Sequence, residues 1–195
     1  MIIGITGPTG SGKTTLLQLI ADAGGTVLDC DAIYHELLTT DNTLLQAIES
    51  RFPGTVRHNV LDRKKLGATV FSDEGALKDL NRITHSAVKA EVLRRLSAKP
   101  ALAAIDAIGL FEGGLAQLCD VTVAVTAPEE MRLARLMSRD GITEDYARSR
   151  IRAQHPAVWY TERCDYTLEN DSTQASFATK CLAFLGKLGI MKEKM

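Results

Sequence analysis

Gly7, Gly12, Lys13 and Thr14 stand in the spacing G-x-x-x-x-G-K-[ST] directly after the apolar run MIIGIT, and no other feature constrains this chain as strongly. A short strand that runs into a glycine-rich turn and then a helix lets backbone N–H groups close around phosphate oxygens. Lys13 is long enough to span the β- and γ-phosphates of a nucleotide, and the Thr14 hydroxyl is an oxygen ligand for Mg²⁺. Gly10, Ser11, Gly12, Lys13, Thr14 and Thr15 are therefore the candidate nucleotide-binding residues.

The chain has 195 residues, 45% of them hydrophobic, which suffices for the core of one main domain. Lys and Arg number 23 against 24 Asp and Glu, so the net charge of -1 does not suit a protein that coats nucleic acid or a membrane. Cys30, Cys119, Cys164 and Cys181 form neither a C-x-x-C pair nor a zinc set and are expected to be reduced thiols. No basic segment leads into an apolar signal, and no run reaches the ~18 apolar residues needed to span a bilayer. A cytoplasmic protein without nucleic-acid or membrane partners is expected, acting as a monomer or weak homo-oligomer.

Leu16, Leu17, Ile20 and Ala23 continue the phosphate turn at helical spacing, and Gly24-Gly25 stops the helix. The segment Thr26 to Cys30 is a short strand ending in Asp29-Cys30-Asp31, which completes a strand, helix, strand unit with right-handed crossover. In an open parallel sheet that edge faces the ligand crevice, which makes Asp31 a candidate base. Capping of the helix that starts near Ala32 is a role open to either aspartate. Residues 32–99 read as helices, IYHELL, Leu44 to Phe52, Leu61 to Phe71 and Ala76 to Leu96, with breakers between them. So long an insert is expected to form a lobe for the second substrate. His35, Arg63 and His85 are among the groups that make it locally basic, either to hold an anionic substrate or merely as a solvated face.

Ala101 to Ile105 is a buried strand ending at Asp106, and an apolar strand with a terminal carboxylate beside a P-loop is a second Mg²⁺ holder, a role Glu112 could share. Val121 to Thr126 is β-branched enough to be a central strand, and Thr126 to Glu129 reads as a capping box. Arg132, Arg135 and Arg139 then recur on one helical face; Gly141 breaks the helix, and Glu144 to Gln154 forms a second one, stopped by His155-Pro156. A helical hairpin so rich in guanidinium groups can close over a triphosphate and neutralise charge on the transferring phosphoryl group, with Arg139 at its tip. Asp165 to Leu168 is a fifth strand, Ala175 to Leu188 a closing helix, and the tail KEKM is expected to fray. The pattern is α/β: a five-stranded, mostly parallel sheet with a helical insert and a helical lid.

With these residues laid out, the chain resembles the dephospho-CoA kinase family nearly end to end. The markers run in order from the P-loop through Asp29 and Asp31, Leu61-Asp62-Arg63, Val70-Phe71, Ile83-Thr84-His85 and Leu110-Phe111-Glu112. Arg135, Arg139-Asp140-Gly141, Arg150-Ile151 with Gln154, Cys164-Asp165-Tyr166 and Asn170 complete them. The family's pattern is altered at Ser86, at Ile108-Gly109 and at Met131. The resemblance implies a three-layer P-loop kinase fold of the nucleoside-monophosphate-kinase type, in one domain with core 1–31, 100–136 and 164–195, an acceptor-binding insert at about 32–99 and a lid at about 137–163. It implies transfer of the ATP γ-phosphate, with Mg²⁺, to the ribose 3′-hydroxyl of dephospho-CoA. Asp31, Lys13 and Arg139 are then the catalytic set, Thr14 and Asp106 hold the metal, Asn170 lies near the ATP adenine, and His85, Glu112 and Arg63 face the acceptor. Rival readings are a P-loop kinase for another small hydroxylated or phosphorylated acceptor and a nucleotide binder without catalysis. A GTPase switch is disfavoured because no N-K-x-D motif occurs.

Overall fold

A computed structural model describes residues 1–70 and 73–190. Phe71, in the predicted helix Leu61 to Phe71 and the Val70-Phe71 marker, and the KEKM tail lie outside the described residues. In chain order the elements are β1 (Ile2–Thr6), α1 (Lys13–Asp22), β2 (Thr26–Asp29), α2 (Cys30–Thr40), α3 (Asn42–Arg51), β3 (Val56–Arg57), β4 (Val60–Leu61), α4 (Arg63–Val70) and α5 (Glu74–Leu96). There follow β5 (Ala103–Asp106), β6 (Val121–Thr126), α6 (Glu129–Asp140), α7 (Glu144–Arg152), α8 (Ala157–Thr161), β7 (Tyr166–Glu169) and α9 (Gln174–Lys187). The chain divides into two compact units, one of Met1–Leu28, Pro100–Leu110 and Ala116 onward, the other of Asp29–Lys99 and Phe111–Leu115.

The first unit carries a five-stranded sheet in the order β2-β5-β1-β6-β7, with β1 parallel to both β5 and β6 and β6 parallel to β7. All six residues of β6 are buried, as befits an interior parallel strand covered on both faces, although the middle position belongs to β1. Ile3 and Ile5 of β1 and Val121, Val123 and Val125 of β6 share a core with Leu16, Leu17 and Ile20 of α1 and with Phe177, Cys181, Phe184 and Leu185 of α9. Ala23 lies outside that face, as the exposed cap residue of α1. The register sets Ile5 opposite Asp106 and Thr6 opposite Ala124, so the turn that leaves β1 emerges between the ends of β5 and β6. That edge is where an open α/β sheet binds ligands. Thr126 does not cap the next helix: its carbonyl accepts from Asn170 N at the end of the β6–β7 ladder, and the cap position falls to Pro128, which has no side-chain bond.

The second unit is built on α2 to α5, whose starts are fixed by aspartates. Asp29 Oδ1 accepts from Ala32 N, Asp41 from Thr43 N and Leu44 N, and Asp73 from Gly75 N and Ala76 N. The predicted helix from Leu61 starts instead at Arg63, because Leu61 pairs with Val56 in a small antiparallel hairpin. His58 and Asn59 turn that hairpin with φ of 51° and 60°, the twin positive values a two-residue turn requires. Glu49 anchors it by accepting from Gly54 N and Val56 N.

Candidate active site

The P-loop is the best-defined part of the site. Gly7 has φ +132°, and a Cβ there would fall 2.0 Å from Val125 O, so only glycine lets the chain leave β1 so close to β6. Gly12 caps α1 in the left-handed region with no side-chain hydrogen bond, which leaves the first N–H groups of α1 available to an anion. Lys13 Nζ donates to Gly7 O at 3.0 Å, folding its side chain back along the loop. Thr14 is exposed, whereas Ser11 is fully buried and its hydroxyl has no hydrogen-bond partner among the described residues.

Three consecutive loop carbonyls are held by side chains from later in the chain. Arg132 Nε donates to Thr9 O at 3.0 Å, Arg135 donates to Gly10 O at 3.1 Å and Ser11 O at 3.4 Å, and Asn170 Nδ2 donates to Ser11 O at 2.8 Å. Arg135 also donates to Asn170 Oδ1 at 3.1 Å, and Thr9 N donates to Gln154 Oε1 at 2.8 Å. Arg132 is only 5% exposed, and burial pushes its pKa down from the ordinary arginine value. Of the predicted stripe on α6, Arg132 and Arg135 thus brace the loop from behind. The spacing of the arginines was visible in the sequence, but not the direction of each guanidinium.

Arg139 is the member of the stripe that remains largely exposed. It makes a two-point ion pair with the neighbouring Asp140, at 2.6 and 3.0 Å, and Arg150 of α7 donates to the same carboxylate at 2.5 Å. The hydrogen bonds from Arg139, then Arg150, hold the Asp140 carboxyl far below the usual aspartate range. Asp140 therefore ties the two helices of the hairpin at their exposed side, while Leu133, Leu136, Ala147 and Ile151 pack them inside. Nothing in the sequence beyond the acid between Arg139 and Gly141 signalled this.

Asp106 ends β5, and the loop after it is stitched to the start of the P-loop: Ala107 N donates to Ile5 O at 3.1 Å, and Thr6 Oγ1 donates to Ile108 O at 3.1 Å. Among the described residues no three His, Cys, Asp or Glu side chains form a group able to hold a metal alone. The Thr14 hydroxyl and the Asp106 carboxylate are hard oxygen donors. They fit an ion such as Mg²⁺ that takes one or two protein oxygens and completes its shell from phosphate and water.

In the second unit Asp29 is the helix cap and Asp31 lies exposed in the first turn of α2. Arg63, at the start of α4, stands 3.3 Å from His35 Nδ1. His85 and Glu112 come together in a cleft of about 470 Å³ with Lys78, Arg82 and Lys89, and Arg63 is not part of it.

A family model described as dephospho-CoA kinase matches residues 1–176. A dephospho-CoA kinase of Syntrophotalea carbinolica is 34% identical over 96% of this chain and 92% of its own. The crystal structure of a Thermus thermophilus protein, 34% identical, superposes with a TM-score of 0.82 over 96% of this chain and 97% of its own. Dephospho-CoA kinase from Campylobacter jejuni, 24% identical, has the same fold at a TM-score of 0.67 over 97% and 98%.

Proposed function

The chain belongs to the dephospho-CoA kinase family, and from that premise we infer that it transfers the γ-phosphate of ATP to the ribose 3′-hydroxyl of dephospho-CoA, giving CoA and ADP. The observation that carries this reading is the braced P-loop at the mouth of β1, with Asp106 at the end of the adjacent strand, in a chain that matches the family from its first residue. The O3′–Pγ bond forms as the bond from Pγ to the β-phosphate oxygen breaks, in line, so positioning and electrostatics do nearly all the work.

Lys13 and the loop from Gly10 to Thr15 hold the phosphates, and Asn170 keeps the loop in that shape on the ATP side. Thr14 and Asp106 supply the oxygens for Mg²⁺, which when bound offsets charge shared by the β- and γ-phosphates. Asp31 follows the last residue of β2 by two positions and makes no cap, so its carboxylate is free to accept the hydrogen bond of the 3′-hydroxyl and orient it. Arg139 neutralises charge on the phosphoryl group in flight, exchanging part of its pairing with Asp140 for that contact. His85, Glu112 and Arg63 engage the acceptor, whose anionic groups suit the cations Lys78, Arg82 and Lys89 around His85. Among the described residues no helix is long and apolar enough to cross a membrane.

The test is coupled ADP release with Mg·ATP across a panel of acceptors. Release is expected with dephospho-CoA and not with shikimate, gluconate or nucleoside monophosphates, and GTP should replace ATP poorly. Release with another acceptor and none with dephospho-CoA would overturn the reading.

A further inference from the structure

Thr9 has both of its backbone polar groups held by side chains from later in the chain, its carbonyl by Arg132 Nε at 3.0 Å and its N–H by Gln154 Oε1 at 2.8 Å. Thr9 is only 7% exposed, so without Gln154 its N–H would be buried with no acceptor, a costly state that the peptide would leave by rotating. Rotation of the Pro8–Thr9 peptide would also swing the Pro8 carbonyl, which accepts from Ser11 N at 3.3 Å, and so turn loop dipoles that should face phosphate. Gln154 itself is placed by the arginine hairpin. Ile151 packs α7 onto α6, Gln154 N donates to Ile151 O at 3.2 Å as the helix ends, and Pro156 then starts α8.

We propose that Gln154 is a positioning residue for ATP, tying the arginine hairpin to the P-loop through the Thr9 amide so that the seating of the hairpin and the shape of the phosphate cradle change together. This rests on the kinase reading above. It adds that the hairpin acts on the nucleotide through the loop backbone as well as through its own arginines. A buried N–H needs only an oxygen acceptor, so glutamate at this position preserves the tie and leucine abolishes it.

The experiment compares Gln154→Leu and Gln154→Glu with the wild type, using the affinity for Mg·ATP by calorimetry and the hydrogen exchange of the Thr9 amide by NMR. Trp159, the only tryptophan, stacks on His155 at 4.0 Å five residues beyond Gln154, so its fluorescence checks that the hairpin is folded. In Gln154→Leu, ATP should bind about three- to tenfold more weakly and the Thr9 amide exchange about tenfold faster. The KM for dephospho-CoA should stay within about twofold of wild type, and Gln154→Glu should restore the ATP and exchange readouts to that range. If Gln154→Leu does not fold, Gln154→Asn, one methylene short of Thr9, takes its place with the same expectations. Wild-type ATP affinity and Thr9 exchange in the variant without the acceptor would overturn the proposal, as would equal impairment in Gln154→Glu. Failure of the wild type to phosphorylate dephospho-CoA would instead strike the kinase reading and leave these binding results standing.

Discussion

Two strands of one sheet each lead into a helix, and the two junctions are finished in opposite ways. Between β1 and α1 lie six residues, three of whose carbonyls are taken up by Arg132, Arg135 and Asn170, while α1 begins on a glycine with no side-chain cap. Between β2 and α2 there is no loop at all, and the Asp29 carboxylate caps the helix start by accepting from Ala32 N. The first junction spends protein groups on carbonyls and leaves the N–H groups at the start of α1 without a side-chain cap; the second caps its helix start with Asp29 and presents a further carboxylate, Asp31. The proposed roles follow this difference: an anion at the first, and at the second a hydroxyl to be oriented or deprotonated.

The contrast breaks most visibly at Lys13. Lys13→Ala removes the side-chain charge that the loop itself carries toward the phosphates, and steady-state turnover should fall by a factor on the order of 10² or more with the fold retained. Turnover near wild type in the folded variant would mean that phosphate is held elsewhere. Arg139→Ala should lower kcat about ten- to hundredfold, the worth of one charge-assisted hydrogen bond, with a smaller effect on KM for ATP. In the same vein, exchange across 137–156 should slow when ATP and dephospho-CoA are both present, and equal exchange with and without them would remove the lid.

Asn170→Ala tests the bracing rather than the charge. It takes one partner from Ser11 O and one from Arg135, so KM for ATP should rise up to about tenfold while the acceptor KM stays put. A change confined to the acceptor KM would show that bracing does not serve the nucleotide. The smallest effect concerns pH. The Asp140 carboxyl titrates below its ordinary value of 3.8, so its contribution to the hairpin is present above that pH and is lost as the pH falls further toward its lowered pKa. Exchange across the hairpin should rise as the medium is acidified below that value, and Asp140→Asn should show the faster exchange already at neutral pH. An identical profile in the variant would dismiss Asp140 as the tie.

The P-loop and the five strands were legible because their signals are local: a fixed glycine spacing, an apolar run ending in Asp106, and the β-branched run of β6. The β3–β4 hairpin was not, since two-residue strands are too short for any alternation and His58-Asn59 is a weaker turn signal than Asn-Gly. Reading Thr126 as a cap failed because its backbone was already committed to the sheet. The braces escaped for a different reason. Periodicity puts Arg132, Arg135 and Arg139 on one face, but which of them meets a carbonyl and which meets solvent depends on residues more than a hundred positions away. Gln154 was visible only as a family marker, because its partner is a backbone amide and leaves no trace in side-chain pattern.

The assignment of roles at the second junction is tested most directly by single-turnover phosphoryl transfer to dephospho-CoA in two variants made two residues apart. Asparagine serves as well as aspartate as a helix cap, so Asp29→Asn should transfer within a few-fold of wild type. Asp31→Asn keeps the size but cannot take a proton or supply negative charge, and it should transfer roughly 10²-fold more slowly with ATP affinity within a few-fold of wild type. Wild-type transfer by Asp31→Asn, or a loss of that size in Asp29→Asn instead, would contradict the account.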